Sequence, residues 1–453
     1  MGRRAPRPQN GHVSETTETQ RTLDLALRVG EVLLSNGAGA ADVTATMASI
    51  TYHLGLRNVL VDVTFTTLTL SHQAGVEDTA VTMRRQVSHR EIDYDDLTAA
   101  DHLVRDLLDD DITREEAAAR VLQISSSGHP TPRWAVTASW GVTGAGVALL
   151  LGGDWIVILI AAISGSAIEV LQRKLSRLRL PFFYSQAAGG LLATLFAVGV
   201  AATDVPVDPS LVVTASIIML LAGVGFIGAI QDALTGFYVT ANARILEVMF
   251  ATVGIIVGVS GGLSIGRFLG VDILLASDLA GLSYLPGVII GSAVTAAGFA
   301  FSAYSPTRIL APIALIGGLG GGVSFALTEN QVGRAAAAGF AAVVIGFVSY
   351  TVAGRGRVPP LVIVVSSIVP LLPGLSIYGS LSLLAAEDLR GILAMITAVA
   401  VAVSLSSGVI LGQYIAQPLR REARRLEGRL SGPRLVGPIR IRHRRRSRRS
   451  RPS

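Results

Sequence analysis

From Trp134 to Gln417 the chain is almost unbroken hydrocarbon, cut at intervals by short polar loops. Ten apolar runs can be placed there, at 134–152, 155–172, 182–203, 210–230, 245–265, 284–304, 307–327, 335–353, 358–384 and 391–417. Each is close to the ~20 residues that a helix needs to cross a bilayer. In lipid every backbone N–H and C=O must be satisfied internally, so only helices and closed barrels span it. Continuous apolarity, without alternation at every second residue, favours helices. The pattern therefore predicts an α-helical multi-pass membrane protein with about ten transmembrane helices.

The first 130 residues read differently. RTLDLALRVGEVLLSNG carries an apolar face (Leu23, Leu27, Val29, Leu33, Leu34) and a stop at Gly37, and predicts a helix. AADVTATMASITYHLGL predicts a second. VLVDVTFTTLTLSH alternates and is rich in β-branched residues, so it predicts one strand, with VEDTAVTMRRQVSH as its partner across Gln73-Ala74-Gly75. Helices are expected at Tyr94–Asp109 and Thr113–Ile124, the latter with a capping-box spacing from Thr113 to Glu116. The expected organisation is a disordered stretch at 1–20, a small cytosolic α/β domain at 21–130 and a five-helix module at 131–265. An extracytoplasmic linker at 266–283, a second five-helix module at 284–417 and a disordered tail at 418–453 complete it.

Charge sets the orientation. The net charge is +6, but 14 Arg and 2 Glu lie beyond Gln417, which leaves −6 for the rest. The basic excess is a tail suited to anionic lipid, where each basic residue is worth ~1 kcal/mol, and it gives no reason to expect nucleic-acid binding. With the N-terminus inside, the inner loops hold Arg173, Lys174, Arg177, Arg179, Arg244, Arg308, Arg355 and Arg357; the outer loops hold only Arg267, Arg334 and Arg390. This bias predicts cytoplasmic N- and C-termini and an even number of spans. The first residues lack an apolar h-region, so no cleavable signal is expected. There is no Cys, which excludes disulfides and thiolate metal sites. His53, His72, His89 and His102 show no metal-ligand spacing and are read as packed or solvated, so no metal or cofactor is expected.

Two stretches carry candidate chemistry. Between the fourth and fifth spans lie Gln231, Asp232, Thr240, Asn242, Arg244 and Glu247. A zwitterion needs an anion for its ammonium and donors for its carboxylate, and this set supplies both. A titratable acid, Asp232 or Glu247, is also what coupling to protons requires. An ordinary cytoplasmic loop, with Arg244 and Glu247 as an i,i+3 pair, fits the same spacing. In the ninth span Pro370 and Pro373 remove two backbone donors and Gly374 adds freedom, which predicts a broken helix of the kind that forms transporter sites, although a structural kink packed against its neighbours fits the same residues. Five plus five spans imply halves of opposite orientation, with the polar stretch near Phe237 and the ninth-span break in corresponding places. The glycines of Gly254-xxx-Gly258-xxx-Gly262, Gly287-xxx-Gly291 and Gly317–Gly322 are read as close helix contacts, which permit a homodimer without requiring one.

These segments resemble the threonine/serine exporter family of bacteria, in its fused two-module form. RVGEVLLSNGAGAADVTATM and VDVTFTTLTLSH resemble the family's soluble front, DALTGFYVTANARILEVMFATVGIIVGV its first module, and VPPLVIVVSSIVPLLPGLSIYGSLSLL its second. The resemblance covers roughly 21–417. It implies a non-enzymatic, secondary active exporter of threonine and serine in the bacterial inner membrane, driven by the proton motive force through alternating access. By that resemblance Asp232, Thr240, Asn242, Arg244 and Glu247 form one substrate motif, and Pro370, Pro373, Gly374 and Tyr378 the other. The front domain is expected to cap or gate the cytoplasmic entrance. Two alternatives stand beside this expectation: export of another small metabolite, such as a dicarboxylate, and a membrane-embedded sensor or enzyme.

Overall fold

A computed structural model describes residues 10–75, 77–88, 90–126, 128–129, 131–203, 208–217, 220, 223–271, 285–385 and 388–421. The Arg-rich segment from 422 onward, most of the linker expected at 266–283, and His89 lie outside the described residues. The chain divides into a front unit, which takes in residues up to Ile92 and Asp96–Ser127, and a membrane unit, which takes in Asp93–Asp95 and Gly128–Ala423.

In the front unit, helix α1 runs Asn10–Ser35 and so begins well before residue 21, where order was expected to start. Gly37 ends it with φ +92, and the N–H of Ala38 reaches back to the Leu33 carbonyl at 2.9 Å, the left-handed C-cap for which glycine is suited. Helix α2 (Ala40–His53) lies close by: a Cβ on Gly30 would come within 2.5 Å of Met47 Sδ. The single strand expected over 59–72 is instead a hairpin. Strands β1 (Val59–Val63) and β2 (Thr67–His72) pair antiparallel, and β3 (Val81–Gln86) adds to β2. The turn is closed by the Thr64 N–H on the Thr67 carbonyl at 2.9 Å. It contains Phe65-Thr66 and none of the Gly or Asn that normally marks such a turn. Helices α3 (Tyr94–Leu108) and α4 (Arg114–Ser126) follow. The capping box is present: the Thr113 N–H donates to Glu116 Oε2 at 2.8 Å, and the Glu116 N–H to Thr113 Oγ1 at 3.2 Å. Leu23, Leu27, Leu33, Leu34, Met47, Ile50, Leu68, Leu70, Leu97 and Leu107 make the core.

The described residues of the membrane unit are helices joined by short turns. Its first half contains α5 (Arg133–Leu150), α6 (Trp155–Arg177), α7 (Phe182–Ala201), α8 (Pro209–Ile217), α9 (Gly223–Leu234) and α10 (Tyr238–Phe268). Its second half contains α11 (Leu285–Ser302), α12 (Leu310–Glu329), α13 (Arg334–Gly356), α14 (Pro360–Ile368), α15 (Gly374–Ala385) and α16 (Arg390–Arg421). Among the described residues seven helices are long and apolar enough to cross a membrane. The first expected span is α5. The ninth is broken as expected, at a 3-10 turn over Val369–Leu371. The fourth, expected to be continuous, has Leu220 in a turn between α8 and α9, its N–H on the Ile217 carbonyl at 2.9 Å.

The two halves pair their helices alike. In the first, α5 packs on α6, α7 on α10, α8 on α5, α6 and α7, and α9 on α10; in the second, α11 packs on α12, α13 on α16, α14 on α11, α12 and α13, and α15 on α16. Glycine makes the tightest of these contacts feasible. A Cβ on Gly254 would lie 2.7 Å from the Phe183 carbonyl oxygen, and one on Gly258 would fall on that of Ala187, so α7 and α10 touch backbone to backbone. Gly346 against the Val409 carbonyl and Gly408 against that of Gly339, both 2.5 Å, do the same for α13 and α16.

Helices α5 and α11 join the halves. Gly291 faces Leu150, Gly146 faces Thr295, and Gly298 faces Thr143 and Ser139, so residue numbers rise on one helix as they fall on the other and the pair is antiparallel.

Candidate functional site

The ninth-span break follows from its prolines. Neither Pro370 nor Pro373 can donate to a helix, Leu372 turns extended (φ −62, ψ 136), and a new helix starts at Gly374. Its counterpart is the interruption before Gly223, not the polar stretch near Phe237. A Cβ on Gly223 would sit 2.9 Å from the Leu372 Cβ, so the two interrupted helices meet there. Phe237 belongs instead to the turn between α9 and α10, where Gly236 is left-handed (φ +91) and the Phe237 N–H reaches the Asp232 carbonyl at 2.8 Å.

Beside the meeting point lies a cavity of about 80 Å³. It is walled by Trp140, Thr143, Val147 and Leu150 of α5, Thr295 and Phe299 of α11, Gly223 and Val224 at the start of α9, and Val369, Pro370, Leu372 and Gly374 of the break. Trp140 and Phe299 meet edge to face, with centroids 6.4 Å apart. None of the lining residues carries a charge.

The charged residues gather elsewhere. Arg244 Nε lies 3.2 Å from Asp232 Oδ2, with the aspartate side chain 1% and the arginine side chain 10% exposed. Gly228 makes room for the guanidinium: a Cβ there would stand 2.5 Å from Arg244 Nη1. Thr240 is buried nearby in sequence, whereas Asn242 and Glu247 are exposed on α10. Asp232 is nine residues along α9 from Gly223, about 13 Å at 1.5 Å per residue. The expected residues thus fall in two places: Pro370 and Gly374 line the cavity, and Asp232 and Arg244 form a buried pair further along α9. Pro373 is buried, and the side chain of Tyr378 lies outside what is described.

Trp140, Thr143, Thr295 and Phe299 were not among the expected residues. A signal for them exists. Val142-Thr-Gly-Ala-Gly-Val-Ala148 and Val294-Thr-Ala-Ala-Gly-Phe-Ala300 share Val, Thr, Ala, Gly and Ala in register, each beginning ten residues into its half's first helix. In the front unit, no group of three or more metal-binding side chains occurs among the described residues, and His53 lies 3.1 Å from Asp110 Oδ1.

Among the described residues, seven long apolar helices, together with shorter apolar ones that meet beside a cavity, define a multi-pass membrane protein. Residues 24–266 match a family model of threonine/serine exporters, and residues 288–415 match a second, "Threonine/Serine exporter, ThrE". A "Probable threonine/serine exporter" of Mycobacterium tuberculosis is 34% identical over 449 residues, covering 95% of this chain and 85% of the relative. A "Threonine/serine exporter" of Corynebacterium glutamicum is 33% identical over 425 residues, covering 91% and 86%. No solved structure matches the chain. The chain belongs to the threonine/serine exporter family, a family of bacterial membrane transporters for amino-acid export.

Proposed function

We propose that this protein exports threonine and serine from the cytoplasm by alternating access, using ten crossings arranged as two inverted halves, with both termini inside. The observation that carries the reading is the meeting of two interrupted helices, one from each half, at Gly223 and Leu372 beside a cavity. Interrupted helices leave backbone groups free at membrane depth, where a solute or the rocking of one half on the other can satisfy them. The antiparallel α5–α11 pair, joining elements that open each half and share a sequence pattern, supports the inversion.

Proton coupling falls to Asp232, held by Arg244. A carboxylate and a guanidinium buried together are expensive in a membrane protein and are retained where charge movement is needed. Protonating Asp232 would release Arg244 and bias the two states of α9 and α10. Thr240 is buried one turn before Arg244 on α10; Asn242 and Glu247 are exposed and would meet substrate only in another state of the cycle.

A dicarboxylate is the less favoured cargo, because a dianion in the cavity would meet no cation among its lining residues, whereas a zwitterion is neutral overall. Purified protein in proteoliposomes, preloaded with threonine, is expected to take up labelled threonine by counterflow, with serine competing and succinate not. Absence of threonine and serine counterflow, or competition by succinate alone, would overturn the assignment.

A further inference from the structure

Tyr94 lies in the stretch expected to form the front domain, yet Asp93–Asp95 fold with the membrane unit. The Tyr94 N–H donates to the Ala303 carbonyl at 2.8 Å, just past the end of α11. Its hydroxyl faces Ser366 of α14. Tyr94 is 1% exposed and Ser366 is fully buried. A whole tyrosine side chain thus sits against two membrane helices while belonging to neither.

These two contacts place the ring relative to the cavity. The Ala303 N–H bonds the carbonyl of Phe299, a lining residue, at 3.0 Å, so Ala303 lies one helical turn beyond the cavity wall. Ser366 precedes Val369, another lining residue, by three positions, about 4.5 Å at 1.5 Å per residue. Helices α11 and α14 also pack on each other. In the topology proposed above, α11 descends to the cytoplasm and α14 rises from it, so both steps lead to the same side. Tyr94 therefore stands one turn beneath the cavity, toward the cytoplasm.

A clip holds the segment there. Asp93 Oδ2 lies 2.5 Å from His129 Nε2, and the imidazole stacks on the Tyr304 ring with centroids 4.0 Å apart. Tyr304 directly follows Ala303 and is left-handed (φ +57), which is uncommon for a residue other than glycine. Backbone and side-chain contacts thus meet on one turn at the foot of α11. Asp93 Oδ1 accepts the Asp95 N–H at 3.1 Å and so caps the start of α3. With its cap carried along, the segment can lift away without unravelling a membrane helix, as a lid residue must.

We propose that Tyr94 is the cytoplasmic gate of the cavity. Its ring closes the passage between α11 and α14, the Asp93–His129 clip holds it shut, and its withdrawal admits the amino acid. The inference rests on the exporter reading and orientation above. It narrows the capping role expected of the front domain to one side chain that folds with the membrane unit.

The chain has no cysteine, so one introduced thiol reports on one place. Val224 lines the cavity from the first half, away from Tyr94 in sequence. Full-length Val224→Cys is prepared in right-side-out and inside-out membrane vesicles and treated with a membrane-impermeant methanethiosulfonate reagent. A gate shut about nine-tenths of the time slows entry about tenfold. Adding Tyr94→Ala is therefore expected to speed labelling from the cytoplasmic face about tenfold and to leave the rate from the other face unchanged. Tyr94→Phe keeps the ring and should label as slowly as Val224→Cys alone. An unchanged cytoplasmic rate in Tyr94→Ala would overturn the gate. Equal acceleration from both faces would overturn it too, because general loosening of the packing gives that result. If Tyr94→Ala fails to fold, His129→Ala decides, since it removes the clip and keeps the ring. Its cytoplasmic rate should rise by a smaller factor, and no rise overturns the gate. Labelling requires no transport, so absence of threonine counterflow in the wild type counts against the exporter reading and is a separate result.

Discussion

The buried pair of Asp232 and Arg244 can be separated into its structural and its transport roles by removing one charge and then both. At 3.2 Å two unit charges attract by about 5 kcal/mol for an effective dielectric of about 20. That attraction offsets the desolvation of both groups. Asp232→Asn leaves a guanidinium buried beside Gly228 with no counter-charge, and Arg244→Gln leaves a bare carboxylate; each is expected to cost about 3–5 kcal/mol. The double variant buries two neutral groups and should recover most of that loss. Thermal unfolding of the detergent-solubilised protein, followed by loss of monodisperse material, should show each single variant melting several degrees below wild type and the double variant close to it. Single variants as stable as wild type, with no recovery in the double, would refute the buried pair. The stable double variant then addresses coupling: it should retain threonine exchange by counterflow and lose accumulation driven by a pH gradient. Full accumulation in the double variant would remove Asp232 from the proton pathway.

Three further outcomes follow from local geometry. Gly258→Ala pushes a methyl onto the Ala187 carbonyl and should lower stability by about 1–3 kcal/mol, whereas Gly261→Ala, which meets nothing within 4 Å, should be neutral or slightly stabilising in the same melting assay. In the front unit, burial pushes the Asp101 carboxyl up to about 6, against the smaller opposing pulls of Arg105 and His102. The folded-state value lies above the unfolded one, so this group's contribution is complete below about pH 4 and is lost as pH rises through about 6. Asp101→Asn should therefore gain on wild type between pH 4 and pH 7, by up to about 3 kcal/mol, and an unchanged difference across that window would contradict the shift. Thr113→Ala removes one arm of the capping box and should cost about 1 kcal/mol, visible as faster amide exchange in the first turn of α4.

The parts legible in the sequence are those with a local chemical cause. Pro370 and Pro373 announced the second-half break because a missing N–H acts wherever the residue sits. The first-half interruption has no such mark: Ile217 to Gly223 reads as uninterrupted hydrocarbon, and only its contact with Leu372 distinguishes it. The β1–β2 turn is silent in the sequence for a similar reason, since Phe65-Thr66 lacks a turn residue. The capping box and the Gly37 stop are legible, being interactions within a few residues. Thr143 and Thr295 went unread because hydroxyls every few residues are ordinary in apolar helices, and their meaning lies in a crossing between helices far apart in the chain. The polar stretch 231–247 looked like one cluster, but a helix turns its residues to different faces, and Asp232 and Arg244 point inward where Asn242 and Glu247 do not.

The grip of α5 on α11 has a consequence for biogenesis. About 135 residues separate the end of the first from the start of the second. At about 5–20 residues per second of translation, the ribosome needs roughly 7–30 s to cover that distance. During that interval the glycine-notched face of α5 has emerged while its mate is not yet made. Helix α5 can pack on α6 and α8 as soon as they are made, but its glycine-notched side must stay against lipid or the insertion machinery, so the joint between the halves is among the last to close.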